Sequence, residues 1–263
     1  MSELVYRDEA ANAYDRAFAH VSGHFLPFLL RAACLAPDQQ VLDVATGTGI
    51  AAQAALAVVG AGGHVTATDF SPAMVNRARQ RLAASPNASV MVEDGQSLRF
   101  DEGSFDAVLC SLGLMFFPDP ARGLSEFHRV LRPGGYAAAS VLTTPERSYN
   151  GRINVIIGRQ VPSLAEATAR TFALGDEARL RTLFQQAGFR DVKTTTEAHS
   201  FVLPSFEVYF EPFEQGGAST GQAYLTLSAA DRQAVRDEVR RSLGDTGGPI
   251  SIEVEFRFAR GCR

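Results

Sequence analysis

The chain has 263 residues, 46% of them apolar and 21% charged, an ordinary globular composition long enough to bury a core without disulfides or metal. A formal charge of −4, with Lys193 the single lysine among its cations, leaves no electrostatic footprint for nucleic acid or an anionic membrane. The cysteines, Cys34, Cys110 and Cys262, are too scattered for a zinc ligand set or a disulfide framework; with a polar opening MSELVYRDEA and no apolar run near the ~18 residues of a membrane span, the expectation is a cytoplasmic protein without metal.

Residues 9–35 read as helical, with Pro27 expected to break or kink the stretch. Val41 to Val44 form a short apolar strand that runs into Thr46-Gly47-Thr48-Gly49 and an Ala-rich helix ending near Gly60. Val65 to Thr68 form a second strand, and Ser71 and Pro72 open the next helix as cap and first residue. Strands follow at Val90–Val92, Asp106–Cys110 and Tyr136–Leu142, the last preceded by a helix that Pro133-Gly134-Gly135 should stop. This alternation of strand and helix predicts a parallel, doubly wound sheet. After Pro145 the rhythm breaks. A helix within 146–172, another at 176–187, an alternating strand at 192–202, an aromatic stretch over 203–227, a Ser228-capped helix and a final strand at 250–259 complete the reading.

The chemistry concentrates in VLDVATGTGI, residues 41–50. A buried strand delivers Asp43, then turns through Gly47 and Gly49, where glycine allows the tight turn and a close backbone approach to a ligand. A carboxylate four residues before Gly47 would repel a pyrophosphate and suits a ligand carrying an ammonium group. Asp69, at the end of the second strand, can accept two hydrogen bonds from a ribose diol, although an Asp there also caps helices. Phe70 can lie against an adenine face, and Asp94 can accept from an exocyclic amine or stand in solvent.

The ordered series VLDVATGTGI, VTATDFSPAMV, VEDGQSLRF, FDAVLCSLGLMFFPDP and EFHRVLRPGGYAAAS resembles the class I S-adenosylmethionine-dependent methyltransferases, in the ubiquinone/menaquinone-biosynthesis-like group that acts on small molecules. The resemblance covers about residues 10–145. It implies a Rossmann-like α/β fold: a seven-stranded, mostly parallel sheet with an antiparallel last strand, carrying a helical, aromatic cap. It implies S-adenosylmethionine as cofactor. Asp43, Ala45, Gly47 and Gly49 would line its methionine half, Asp69 its ribose, and Phe70, Asp94 and Gly95 its adenine. Ser111 would border the sulfonium and the acceptor. Tyr14 would fold over the cofactor, or simply pack. The family usually carries Ala where this chain has Gly95, so the adenine wall is expected to be slightly loose.

One domain is expected over residues 1–263, with its core at about 36–145, 173–202 and 250–263, an N-terminal lid at 1–35 and cap insertions at 146–172 and 203–249. The expected activity is methyl transfer to a small, apolar or aromatic acceptor; Phe116, Phe117 and the cap rings Phe206, Tyr209, Phe210, Phe213 and Tyr224 either enclose it or, equally well, simply pack a cap onto the sheet. If that transfer needs a base, His20 and His24 border the pocket, whereas His128 and His199 read as surface residues. The alternatives are a protein that binds the cofactor without transferring methyl, or an NAD(P)-dependent oxidoreductase, which Asp43 and Asp94 disfavour.

Overall fold

A computed structural model describes the backbone from residue 8 and the side chains from residue 18 to the end of the chain. Helix α1 (Asp8–Ala32) leads into β1 (Gln40–Val44), α2 (Ile50–Val59), β2 (His64–Asp69), α3 (Pro72–Leu82), β3 (Ala88–Val92) and β4 (Phe105–Ser111). Then come α4 (Pro120–Val130), β5 (Leu131–Leu142), α5 (Gly151–Gly158), α6 (Pro162–Phe172), α7 (Glu177–Gln186) and β6 (Arg190–Leu203). The chain closes with α8 (Phe206–Glu214), α9 (Ala218–Leu225), α10 (Ala229–Ser242) and β7 (Ile250–Cys262).

The strands form one seven-stranded sheet in the order β3-β2-β1-β4-β5-β7-β6. The first five run parallel, and β7 pairs antiparallel with both β5 and β6. Order reverses between β1 and β4, so the crevice beyond the carboxyl ends of β1, β2 and β4 is the topological switch point where ligands bind in open α/β sheets. Alternation splits the buried strand residues between two cores. Ala107 and Leu109 of β4 face the side covered by α1 and α2, whereas Val108 and Cys110 face α4 and α7. No helix among the described residues is long and apolar enough to cross a membrane.

Helix starts follow their sequence signals. Ser71 Oγ accepts from the Met74 N–H at 3.4 Å and Ser228 Oγ from the Asp231 N–H at 3.1 Å. Two expectations need correction. The Pro133-Gly134-Gly135 run lies inside β5, where a shift of register between Phe105/Leu131 and Ala107/Tyr136 accommodates it as a bulge and Gly134 adopts φ 84°. Pro27 does not end α1. Pro27 is exposed, so the Gly23 carbonyl that loses its amide donor can turn toward water while the helix continues. The missing amide still costs a hydrogen bond. Pro27→Ala should therefore raise stability by about 1–2 kcal/mol, less than the ~3 kcal/mol propensity difference because the helix already tolerates the ring. Chemical denaturation with an unchanged or lower midpoint would refute this.

The segments after β5 and β6 leave the sheet at the carboxyl edge. Register shows how β6 supports them: Leu142, the last residue of β5, is level with Phe256 and Glu197, and β6 continues six residues beyond to Leu203. The β6–β7 ribbon thus rises about 20 Å above the end of β5 at ~3.3 Å per residue. Phe25 of α1 stacks on Phe256 at 4.2 Å, anchoring the helix on that ribbon.

Candidate functional site

Asp43, one residue before the end of β1, is fully buried. Its Oδ2 accepts from the Thr46 hydroxyl at 2.5 Å, while its Oδ1 is buried with no hydrogen-bond partner among the described residues. Burial, opposed by the Thr46 hydroxyl and, less, by the Ala52 backbone amide, and reinforced by the nearby negative charge of Asp69, pushes the Asp43 carboxyl up to about 7. A buried acceptor without a donor carries a desolvation cost that a bound cationic donor would relieve.

Past Asp43 the backbone is left-handed at Ala45, Gly47 and Gly49, with φ of 57°, 57° and 86°. That path requires glycine most strictly at Gly49, where a Cβ would also stand 3.2 Å from Ala78 of α3. It aims the Gly47 N–H at Asp69 Oδ2, 2.8 Å away. Asp69 Oδ1 accepts from the Ser71 N–H at 2.9 Å, so one carboxylate clamps the ends of β1 and β2 together. Burial raises the Asp69 carboxyl as well, ahead of the lowering effect of those two backbone donors. The two acids make the switch point a cation-seeking site.

Phe70, beside Asp69, is 71% exposed, free to offer a ring face to a planar ligand. Across the crevice, Asp94 Oδ1 accepts from the Gln96 N–H at 2.9 Å, and Gln96 Oε1 accepts from the Asp119 N–H at 2.8 Å, tying the loop after β3 to the start of α4. Ser111 is half-buried at the end of β4, level with Ser140 of β5. The turn that follows approaches Ala45 so closely that a Cβ on Gly113 would lie 2.5 Å from the Ala45 Cβ.

The space beside Gly95, expected to be loose, is filled. A Cβ there would stand 2.5 Å from Phe117 Cζ and 2.8 Å from Val44 Cγ1, and a Cβ on Gly123 would stand 2.5 Å from the same ring. Phe117 occupies a slot between two glycines, its space supplied by the missing methyl groups. The sequence signal was the pair of glycines facing an aromatic, and only the fold brings them together. Thr46 and Gln96 also went unnoticed in the sequence, Thr46 despite lying inside the glycine-rich run.

The structure gathers Asp43, Ala45, Gly47, Gly49, Asp69 and Phe70 around one crevice, with Asp94 and Gly95 on the loop after β3 and Ser111 at the end of β4. His20 and His24 lie elsewhere. The His24 ring stacks on His199 at 3.8 Å, and His20 packs edge-on against Tyr149 and Phe201. His199 and Phe201 belong to β6, four strand spacings or about 19 Å from β1. Burial lowers the pKa of both imidazoles, with His199 contributing at His24. Tyr14 falls on α1, but its side chain lies outside the described residues. The cap rings take the packing reading of the two the sequence offers. Phe206, Tyr209, Phe210 and Phe213 are 0–1% exposed and join the core beneath α1 and α2 instead of lining an open pocket. Tyr209 donates to the Tyr149 carbonyl at 2.6 Å, so the rings hold the cap to the segment after β5. His128 is half-buried against Phe189, not a free surface residue. Among the described residues no group of three or more His, Cys, Asp or Glu could hold a metal ion.

Residues 42–139 match a family model described as a methyltransferase domain. A demethylmenaquinone methyltransferase of Clavibacter sepedonicus is 40% identical over 142 residues, covering 52% of this chain and 57% of that protein, so the chain spans little more than half the length of this relative. A demethylmenaquinone methyltransferase of Staphylococcus epidermidis is 33% identical over 165 residues, covering 58% of this chain and 68% of that protein. A solved SAM-dependent methyltransferase from Aquifex aeolicus shares the fold with a TM-score of 0.57 at 20% identity, covering 72% of this chain and 90% of the other. With the two-carboxylate crevice at the switch point, these likenesses establish that the chain belongs to the class I S-adenosylmethionine-dependent methyltransferases, in the group of the menaquinone and ubiquinone enzymes, whose cofactor is S-adenosylmethionine.

Proposed function

We propose that this chain transfers a methyl group from S-adenosylmethionine to a small aromatic acceptor of the quinol type. The observation that carries the cofactor half is Asp43: a fully buried carboxylate with one oxygen orphaned beside a left-handed glycine loop fits a ligand that brings an ammonium group. When bound, the cofactor supplies a sulfonium carbon that is already electrophilic. The protein's part is to bind, orient and dehydrate. Asp43 with Thr46 would hold the ammonium, and Ala45, Gly47 and Gly49 would wrap the methionine moiety. Asp69 would accept from the ribose, its position fixed by the Gly47 and Ser71 amides. Phe70, Asp94 and Gly95 would frame the adenine, Tyr14 would close over the cofactor, and Ser111 would border the transferring methyl.

The acceptor is supported by two features. The relatives in the comparison carry demethylmenaquinone in their names. Phe70 and Phe116 are 71% and 48% exposed and follow β2 and β4, two of the strands whose ends border the switch point. Calorimetry with S-adenosylmethionine, then transfer of labelled methyl to a panel of hydroquinones, tests the reading. Tighter binding of NAD, or methylation of charged amines in preference to hydroquinones, would reject it.

His20 and His24 are assigned to docking of the lid on β6, and proximity with desolvation carries the transfer. The double variant His20→Ala/His24→Ala should keep turnover within about threefold. A loss of ~100-fold or more, the scale of general-base catalysis, would return the base to these histidines.

A further inference from the structure

We propose that β6 is a self-association edge: two copies of this chain pair their β6 strands antiparallel about a two-fold axis at Thr195, making one continuous sheet. The case begins with a contrast between the two edges. At one edge β3 has only 5 residues, and side chains bond its carbonyls: Arg79 donates to the Val90 oxygen at 3.2 Å and Arg99 to the Val92 oxygen at 3.2 Å. Short, capped edges are how sheets avoid pairing with a neighbour.

The other edge is built differently. β6 has 14 residues, well beyond the modal ~5–6, and contains neither Gly nor Pro. Its irregularity is confined to the start, between Arg190 and Lys193, where Asp191 adopts φ 48° and Arg181 donates to the Val192 carbonyl at 3.0 Å. From Lys193 to Leu203 no side chain among the described residues bonds a strand carbonyl. Thr194, Thr195 and Thr196 supply β-forming side chains just inside the start of that free run.

Charge then selects the occupant. Lys193 is the only lysine in the chain and is exposed. Neither it nor Glu197 has an ion-pair partner among the described residues. The two lie two residues either side of Thr195 and, by the period of a strand, on one face. A lone edge lysine ordinarily repels a second strand. Antiparallel pairing about Thr195 instead sets each Lys193 opposite the partner's Glu197 and each Thr194 opposite the partner's Thr196, the arrangement in which cross-strand pairs stabilise. A pattern that complements itself on reversal is the signature of an isologous two-fold contact, and a second copy of this chain is its fitting partner. The edge is four strands from β1, so both cofactor crevices stay open in the pair.

Sedimentation velocity across a range of concentrations should show a dimer of the full chain. Lys193→Glu and Glu197→Lys should each weaken it at least tenfold by setting like charges opposite, and the combined K193E/E197K exchange should restore it. A water-soluble carbodiimide should join the Lys193 amine to the partner's Glu197 carboxyl with loss of water, and the sole lysine makes the linked peptide unambiguous by mass spectrometry. Cofactor affinity, unchanged in all three variants, reports an intact fold. A chain monomeric at every concentration, a double exchange no tighter than the singles, or Lys193 joined to another carboxylate would overturn the proposal.

Discussion

Asp43→Asn is expected to bind cofactor more weakly and, at alkaline pH, to be more stable without it. The amide keeps the shape and an acceptor for Thr46 but removes the charge that meets the ammonium. Loss of a charge-assisted hydrogen bond of about 1.5–3 kcal/mol corresponds to roughly 10- to 150-fold in the dissociation constant of S-adenosylhomocysteine. The stability gain follows from linkage. Unfolded, the Asp43 carboxyl titrates at its ordinary value of 3.8, whereas in the fold burial pushes it up to about 7. Between these values the folded state binds the proton and the unfolded state does not, so stability falls as pH rises from about 4 to about 7 and then levels. Asparagine has no such dependence. The variant's thermal midpoint should match the parent near pH 4 to 5 and exceed it at pH 8 by several degrees, since a chain of this size gains about 2–4 °C per kcal/mol. Cofactor affinity in the parent should rise with pH up to about 7, because the ammonium prefers the ionised acid. Calorimetry and thermal melts over pH 5 to 8 check both. Affinity indifferent to the substitution would remove Asp43 from the site.

The second large effect is expected at the Phe117 slot. Gly95→Ala places a methyl 2.5 Å from Phe117 Cζ, inside any real contact distance, and Val44 blocks retreat on the other side. Overpacking of this kind costs about 1–3 kcal/mol. Phe117→Ala empties the slot and should cost about 2–4 kcal/mol, below the full range for a wholly buried phenylalanine because this ring is half-buried. The double variant should cost less than the sum by at least ~1 kcal/mol, because the new methyl enters space the ring has vacated. Gly95 also carries Asp94 and Gln96 on its shoulders, so Gly95→Ala alone should weaken cofactor binding while Phe117 is present. Denaturant titrations of the four proteins decide the matter, and strict additivity would mean that the two positions do not share a slot.

Much of the crevice at the switch point was legible in the sequence because its logic is local. A buried strand, a glycine turn and a helix are specified by neighbours a few residues apart, and left-handed backbone at Gly47 and Gly49 is a property glycine announces by itself. The carboxylates Asp43, Asp69 and Asp94 each sit at or just past a strand end, and parallel strands bring such positions to one edge. The alternating pattern of residues 250–259 likewise sufficed to place a final strand.

Tertiary structure decided what depended on distant partners. The four cap aromatics read equally well as a pocket lining or as packing. Only the docking of α8 against α1 and the segment after β5 buries them, because burial is a property of what lies opposite. Pro27 forecasts a break by its own chemistry, but it lies on the exposed side of α1, where the helix continues past it. His20 and His24 lie in the chain segment that resembles the lid, but α1 crosses toward β6 and spends them on His199, Tyr149 and Phe201. Phe117 needed Gly95 from one loop and Gly123 from a helix. The free edge of β6 needed the sheet order itself. A sequence specifies its turns and periodicities through short-range sterics, whereas contacts between residues separated by tens of positions exist only once the chain has closed on itself.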